Sequence, residues 1–179
     1  MVRFPGAWRA LAALVQRLLR PSSRLRRALL RRNVVSGWAA ASRRDFELML
    51  VLYATDVVTE LDPDLEVVGL AGPFRGHEGR LEWERAFQEE WQRWEALPTT
   101  VLDLGDRQVV LGKLRLAGKV SGLELEREVA QVLTPRDGLV AHERIFMAWD
   151  KGLRAAGLDP DAIVLPPPAK AAATASGAA

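Results

Sequence analysis

The sequence predicts a single α+β domain in which helices pack on one face of a curved antiparallel sheet. Its 179 residues, 49% of them hydrophobic and 27% charged, are enough for one core but not for two. Helical patterns dominate the first half of the chain, and strand patterns dominate the second half. This order, helices first and a meander of strands afterwards, is typical of an α+β domain.

Three helices are predicted before the meander. The first follows Pro21-Ser22-Ser23, which offers an N-cap, and it extends to Ala41. The second begins at Asp45, and the third follows a Gly- and Pro-rich loop and spans residues 79–97. Between the second and third helices, the β-branched residues of segment 57–61 predict a strand.

Aromatic residues crowd one face of the third predicted helix. Trp83, Phe87 and Trp91 follow one another at steps of four, and Trp94 comes three residues later. Such a face is usually buried in the core, but it can also line a ligand pocket. We therefore name Trp83, Phe87 and Trp91 as ligand-binding candidates, together with Tyr53 on the apolar side of the second helix.

Four strands with short connections follow Pro98. Strands that are joined by short hairpins pair with their chain neighbours in antiparallel fashion. A last helical turn is predicted at residues 151–156. The predicted strands span residues 101–105, 108–116, 123–134 and 139–147.

Charge is divided unevenly along the chain. The first 44 residues contain eleven arginines and no acidic residue, so the rest carries 14 Lys and Arg against 23 Asp and Glu, a net charge of −9. An acidic domain repels phosphate, and we therefore expect no nucleic-acid partner.

These patterns divide the chain into three regions. Residues 1–22 form a basic amphipathic arm, residues 23–158 form the domain, and residues 159–179 form a disordered tail rich in Pro and Ala. The apolar run of the arm is too short for a signal peptide or a bilayer span. We expect a cytoplasmic protein whose arm makes at most a weak contact with anionic membrane surfaces.

Composition excludes several classes of chemistry. The chain has no cysteine, which rules out disulfides, thiolate catalysis and zinc sites that need sulfur. It has only two histidines, which rules out a metal site built from several imidazoles. We expect neither a metal nor another cofactor.

Short motifs occur in a fixed order along residues 24–158. They are Arg43-Arg44-Asp45-Phe46, Phe74-Arg75-Gly76-His77-Glu78-Gly79, Leu104-Gly105-Asp106-Arg107, Ser121-Gly122, Arg136-Asp137-Gly138 and Ala155-Ala156-Gly157-Leu158. Together they resemble the SnoaL-like family of the nuclear transport factor 2-like superfamily. The resemblance implies a cone of helices on a strongly curved sheet, with a pocket for a small apolar molecule. It also implies a homodimer that forms through the outer face of the sheet.

The resemblance further implies candidate catalytic residues. Steroid isomerases of this superfamily use an Asp general base near the end of the first strand, and Asp62 resembles it. The tyrosine that accompanies this base on the first helix is missing, since Tyr53 is the single tyrosine of the chain. Polyketide cyclases use an Asp at the position that best matches Gln131, and an amide cannot shuttle protons at neutral pH.

Alternation along the last two strands adds further candidates. If Gln131 faces the pocket, Arg127 shares its side and either binds a ligand oxygen or pairs with an acid such as Glu143. On the last strand, Glu143 and Met147 share a face. In an apolar pocket Glu143 could act as a general base. The alternative is that it is exposed or bound in an ion pair.

Two hypotheses about function follow. In the first, the domain binds a small apolar molecule, and Asp62 or Glu143 transfers a proton without a cofactor. In the second, it is a non-catalytic module for ligand binding or dimerisation that has lost its acid–base pair. The two differ in whether a carboxylate lies within hydrogen-bond reach of an open interior cavity.

Overall fold

The computed structural model describes residues 14, 18–63, 72–119 and 122–163. Most of the predicted arm and residues 164–179 of the predicted tail lie outside these ranges. None of the helices in the described ranges is both long and apolar enough to cross a lipid bilayer. The elements are α1 (Arg24–Ser42), α2 (Phe46–Leu50), β1 (Tyr53–Leu61), β2 (Phe74–Arg75), α3 (Gly76–Glu89), β3 (Trp91–Asp103), β4 (Gln108–Gly118), β5 (Glu124–Arg136), β6 (Leu139–Phe146), α4 (Trp149–Ala155) and a 3₁₀-helix (Pro160–Ala162).

The strands form one six-stranded sheet in the order β2-β1-β6-β5-β4-β3. Strands β3 to β6 are a meander of antiparallel neighbours, which confirms the predicted order. Strand β1, however, runs parallel to β6, so the sheet is mixed, and the prediction of an antiparallel sheet is wrong at this pair. The two strands are far apart in the chain, and no hairpin between them dictates an antiparallel direction.

The third predicted helix ends earlier than expected. Helix α3 ends at Glu89, and residues 91–97 belong to β3, so Trp91 and Trp94 are strand residues. Strand β3 pairs with β4 along its whole length, and this long ladder outweighs the helical spacing of two tryptophans. Pro98 is tolerated because β3 is an edge strand of the sheet, where one side of the strand needs no N–H partner.

The predicted starts of α1 and α2 are confirmed. The Oγ of Ser23 accepts a hydrogen bond from the N–H of Arg26 at 3.5 Å. The Oδ1 of Asp45 accepts one from the N–H of Leu48 at 3.1 Å. Each side chain satisfies an N–H group that the first turn of a helix leaves without an intrahelical acceptor.

Apolar side chains pack on both faces of the sheet. Helices α1 and α3 cover one face, and α4 covers the opposite face over residues such as Val109. Two glycines allow this close packing. A Cβ at Gly112 would lie 2.4 Å from the ring of Trp38 on α1, and a Cβ at Gly152 on α4 would lie 2.3 Å from the Cβ of Ala130.

The packed part of the chain continues beyond residue 158. Asp159 caps the 3₁₀-helix by accepting a hydrogen bond from the N–H of Asp161 at 3.1 Å. Ile163 packs against the apolar cluster that α4 covers. Residues 159–163, which the sequence assigns to the tail, therefore extend the layer on the outer face of the sheet.

A buried ion pair fastens the start of α1 to the sheet. The Nε of Arg26 lies 2.7 Å from Oδ2 of Asp103, and its Nη2 donates to Oδ1 at 2.9 Å. The same guanidinium group donates to the carbonyl oxygens of Leu19 and Gly105 at 2.9 and 3.0 Å. This ion pair therefore determines how the first turn of α1 lies on β3.

Candidate functional site

A cavity of about 110 Å³ lies between α1, α3 and the sheet face that these helices cover. By the same measure, one ordered water needs only roughly 10–15 Å³, so the cavity has room for a small molecule. Most of its wall is apolar, which is typical of small-molecule sites. Its aromatic side chains are Trp38, Tyr53, Trp83, Phe87 and Trp94.

The aromatic side chains of α3 and β3 form a continuous row. The rings of Trp83 and Phe87 are 5.2 Å apart between centroids. Phe87 meets Trp94 edge to face at 5.8 Å and 87°. Trp91 contacts Phe87 at 6.4 Å but is not part of the cavity wall. Of the three aromatic candidates predicted on the third helix, Trp83 and Phe87 thus line the cavity, and Trp91 does not.

Glu143 on β6 is fully buried, with 0% of its surface exposed. The hydroxyl of Tyr53 donates to its Oε1 at 3.0 Å, and the hydroxyl of Thr59 donates to its Oε2 at 3.2 Å. The Nε of Arg80 lies 2.9 Å from the same Oε2. Strand β1 therefore supplies the hydrogen bonds, and helix α3 the opposite charge, that a buried carboxylate needs.

Arg80 joins two carboxylates. Besides its contact with Glu143, its Nη2 lies 2.8 Å from Oε1 of Glu84, one turn further along α3. Gln88, after another turn, donates to Oε2 of Glu84 at 3.3 Å. The guanidinium carbon lies 5.2 Å from the centroid of the Tyr53 ring. We call Arg80, Glu84 and Glu143 the ionic cluster.

The ionic cluster reaches the cavity through two of its three members. Arg80 and Glu84 line the cavity wall, whereas Glu143 does not. The Nη1 of Arg80 is buried and has no hydrogen-bond acceptor among the described residues. The cavity wall therefore includes one carboxylate, that of Glu84, beside the guanidinium group of Arg80.

Burial keeps Tyr53 protonated. It raises the pKa of the phenol above its ordinary value of 10.0, and the neighbouring Glu143 carboxylate raises it further. Tyr53 is therefore a neutral hydrogen-bond donor to Glu143. Burial by itself lowers the pKa of the Arg80 guanidinium, but the carboxylates of Glu143 and Glu84 outweigh this and raise it well above its ordinary value. Arg80 thus stays a cation.

The titration of Tyr53 can be followed by tyrosinate absorbance, because the chain has one tyrosine. We expect the folded protein to show no tyrosinate at a pH just above 10.0, where a free phenol is half ionised. The unfolded chain loses this proton first, so stability should fall as the pH rises above about 10. The Tyr53→Phe variant should lose less stability above this pH, because it has no phenol to ionise. Tyrosinate that forms near pH 10 while circular dichroism still reports a folded chain would contradict the prediction.

Asp62, one of the two predicted bases, does not line the cavity. Its side chain is 8% exposed, and its Oδ2 lies 3.2 Å from the Nζ of Lys151 on α4. Because α4 covers the opposite face of the sheet, the structure does not bring Asp62 and Glu143 together. A role for Asp62 as a base stays a prediction, and the geometry gives it no contact with the cavity.

Arg127 is exposed and does not line the cavity. The predicted alternative, an ion pair with Glu143, is wrong because Arg80 holds that carboxylate. The alternation itself is correct, since Val129 and Gln131 line the cavity. Residues 122–128 are exposed or half-buried, so this end of β5 extends beyond the packed part of the sheet.

Five of the predicted ligand-binding residues line the cavity. Gln131 is held there by a hydrogen bond, since its Oε1 accepts from the Nε1 of Trp38 at 2.8 Å. Its amide is therefore a polar point in a largely apolar wall. Contact of these side chains with a ligand stays a prediction. The five residues are Tyr53, Trp83, Phe87, Gln131 and Met147.

The two charged residues of the cavity wall, Arg80 and Glu84, were missed by the sequence reasoning. Together with Gln88 they recur at steps of four on α3, on the face that also carries Trp83 and Phe87. Charged residues at helical spacing beside an aromatic face predict a buried ion pair. The reason is that the aromatic face is buried, and a buried charge requires a partner. The partner on β6 could not be found this way, since no local pattern links β6 to α3.

No protein-family model and no curated protein matches this chain. Solved structures do match. TerC, crystallised with polyporic acid, has a TM-score of 0.59 at 22% identity, covering 65% of this chain and 89% of that one. A nuclear transport factor 2-like protein of unknown function from Burkholderia pseudomallei K96243 has a TM-score of 0.59 at 23% identity, covering 69% and 93%. A proposed SnoaL-like polyketide cyclase from Jannaschia sp. CCS1 has a TM-score of 0.54 at 19% identity, covering 64% and 82%.

At these low identities, the matches concern architecture. They confirm the α+β class that the order of helices and strands predicts, and they agree with helices packed on a curved sheet. Helix α4, however, covers the opposite face from α1 and α3, so the prediction of helices on one face alone is wrong. The chain therefore has the nuclear transport factor 2-like fold.

Proposed function

We propose that this domain binds a small, largely apolar molecule in the cavity and catalyses a proton transfer on it without a cofactor. The observation that carries the proposal is the buried Arg80–Glu84 pair in the wall of an aromatic cavity. Proton transfer next to a carbonyl group needs a base and a group that stabilises the developing negative charge. A carboxylate and a guanidinium cation, side by side in an apolar site, supply both.

Glu84 is the general base in this proposal. One of its oxygens takes a proton from a carbon next to a carbonyl group of the ligand. The electron pair of that C–H bond shifts toward the carbonyl oxygen, and the positive charge of Arg80 stabilises the enolate. Glu84 becomes neutral as the ligand becomes anionic, so the net charge of the buried site does not change. Return of the proton to a different carbon completes an isomerisation.

Glu143 positions Arg80. Glu143 does not line the cavity, whereas Glu84 does, and a base must reach the ligand. The contact of Glu143 with Arg80 Nε holds the guanidinium group beside Glu84 at the cavity wall. We therefore assign the proton transfer to Glu84 in place of the two acids that the sequence predicts.

A simple ketone tests the proposal without knowledge of the natural ligand. The protons next to the carbonyl group of 2-tetralone exchange with D₂O, and NMR follows this exchange. We expect the protein to bind 2-tetralone, as reported by tryptophan fluorescence, and to accelerate the exchange. The Glu84→Gln variant should still bind the ketone but lose about 100-fold or more of the acceleration, the usual contribution of a general base.

The Asp62→Asn variant is the matched control, since it also removes one buried carboxylate but lies outside the cavity wall. It should exchange 2-tetralone protons at the rate of the unmodified protein. An equal loss of exchange rate in both variants would show that Glu84 is not the general base. Binding without any acceleration in the unmodified protein would favour the second hypothesis, a non-catalytic ligand-binding module. Absence of binding would argue against both.

We also propose that the chain is a member of the SnoaL-like family, a proposal supported by its ordered motifs and by its likeness to the Jannaschia structure. The homodimer and the cytoplasmic location stay predictions, as does the membrane contact of residues 1–22. Part of the outer sheet face is already covered by α4. Elsewhere on that face, Lys113 pairs with Glu126 and Arg93 pairs with Glu124, so a dimer through this face would enclose paired charges.

A further inference from the structure

Helix α1 has an exposed side that is basic and partly apolar. Buried residues such as Leu30, Val34 and Trp38 hold its other side against the cavity and the sheet. On the exposed side, one row of residues recurs at steps of four, three and four, and a second row lies beside it. We call these residues the α1 outer face, and they are Arg24, Leu25, Ala28, Arg31, Arg32 and Val35.

The three arginines of the α1 outer face have no acidic partner among the described residues. Arg24 also lies in the first turn of α1, which contains no acidic residue, although the positive end of the helix dipole disfavours cations there. Exposed arginines on the opposite side of the domain, by contrast, each pair with an acid, and they are Arg93, Arg115 and Arg154. The charge of the α1 outer face is therefore left for an anion outside the domain.

The distribution of charge along the chain determines which side of the domain an anionic surface attracts. Residues 1–22 contain four arginines and no acid, so they cannot neutralise the α1 outer face. After Arg44 the chain carries 14 Lys and Arg against 23 Asp and Glu, a net charge of −9. An anionic surface repels this part of the domain and attracts α1.

The exposed apolar side chains favour a lipid surface over an acidic protein or a nucleic acid. Leu25 is 59% exposed and Val35 is 46% exposed, and both lie among the arginines of the α1 outer face. Helices that lie on membranes combine such residues, because the arginines stay at the lipid phosphates while the apolar side chains enter the acyl boundary. A soluble polyanion has no acyl region to receive them.

We propose that the α1 outer face docks on an anionic lipid surface, with its arginines at the headgroup phosphates and with Leu25 and Val35 in the acyl boundary. This contact differs from the one predicted for residues 1–22, because α1 is packed on the sheet. The opposite side of α1 lines the cavity, so docking places the cavity about one helix diameter, roughly 10 Å, from the lipids. Apolar ligands concentrate in that phase.

Vesicle flotation of the full chain tests the proposal. We expect binding to vesicles of equal parts phosphatidylcholine and phosphatidylglycerol, and none to vesicles of phosphatidylcholine alone. High salt should weaken this binding. The triple variant Arg24→Gln, Arg31→Gln and Arg32→Gln should lose about 100-fold in affinity, because each arginine near an anionic lipid surface contributes roughly fivefold.

A triple variant on the opposite side of the domain is the matched control for net charge. It carries Arg93→Gln, Arg115→Gln and Arg154→Gln, and it should bind anionic vesicles like the unmodified protein. All six arginines are exposed, so circular dichroism should show that both triple variants are folded.

The Leu25→Ser variant tests for the acyl boundary, and polyglutamate serves as a soluble polyanion for comparison. We expect this variant to bind anionic vesicles about fivefold more weakly, because it removes apolar surface that the lipid would bury. Its affinity for polyglutamate should not change. If Leu25→Ser left the vesicle affinity unchanged, the partner would be an acidic protein, and the lipid assignment would be overturned.

Three other outcomes would overturn the proposal. An equal loss in both triple variants would show that net charge alone drives the binding. A loss confined to a variant with Arg3→Gln, Arg9→Gln and Arg17→Gln would place the contact in residues 1–22. The third outcome is an absence of binding to anionic vesicles. Each of these results leaves the proposed function intact, because the exchange of 2-tetralone protons is measured without lipid.

Discussion

Replacing Arg80 with methionine is expected to lower the free energy of unfolding at neutral pH by about 3–5 kcal/mol. The variant leaves the carboxylates of Glu84 and Glu143 buried near each other without the cation that joins them. Removal of one partner from a buried ion pair is costly because the remaining charge keeps its desolvation penalty. Urea denaturation, followed by circular dichroism, measures the change.

Two further variants show whether the loss comes from charge. Arg80→Lys keeps the cation and should lose less stability than Arg80→Met, although it cannot reach both carboxylates in the same bidentate manner. Arg27→Met removes an exposed arginine of α1 and should change stability by no more than about 0.5 kcal/mol. If Arg80→Met behaved like Arg27→Met, water would have to reach the cluster in solution, and the low polarity assumed for the proton-transfer site would be wrong.

Replacing Asp103 with leucine is expected to destabilise the fold to a similar extent, by about 3–5 kcal/mol. Arg26 would keep its buried positive charge and lose both contacts to the carboxylate. The turn after β3 would also lose a bond, since Asp103 Oδ1 accepts from the N–H of Gly105 at 3.1 Å. Chemical denaturation of the variant checks the expected loss.

The double variant Arg26→Met with Asp103→Leu should recover much of this stability, because it removes both buried charges and fills the space with apolar groups. The exposed pair of Asp106 and Arg107 provides a surface control on the same turn, and its removal should have little effect. If the double variant were as unstable as Asp103→Leu, the lost stability would come from the hydrogen bonds to the turn after β3. It would not come from the ion pair.

The two ion pairs have different consequences for the site. The Arg26–Asp103 pair positions α1, which contributes Trp38 to the cavity wall. The Arg80–Glu84 pair is part of the wall itself. Under the proposed function, loss of the first should therefore change ligand affinity through the position of Trp38, whereas loss of the second should also remove a charged group of the cavity wall.

Local sequence signals predicted the parts of the fold that depend on neighbours in the chain. Ser23 and Asp45 predicted the starts of two helices, because a cap needs only the next few residues. The hairpins of the meander were predicted for the same reason. The helix assigned to residues 79–97 was wrong beyond Glu89, because pairing of β3 with β4 is a contact between strands and outweighs the spacing of Trp91 and Trp94.

The candidate site was predicted less completely than the fold. The family resemblance placed Gln131 at the cavity, alternation placed its strand neighbours on the same face, and aromatic spacing placed Trp83 and Phe87 there. Arg127 obeys the same alternation and yet is exposed, since burial also depends on which parts of the sheet the helices cover. Alternation along a strand predicts the face on which a residue lies, but it does not predict whether that residue is buried.

The sequence by itself determined the α+β class, the caps, the meander and the aromatic face of α3, because these features arise from residue types at short spacing. Only the tertiary structure decided which acid meets the cavity. It placed Asp62 beside Lys151, and it left Glu84 as the carboxylate of the wall. It also brought Glu143 of β6 to Arg80 of α3. The physical reason is that burial and charge pairing depend on contacts between segments that are distant in the chain, and such contacts leave no periodic signal in it.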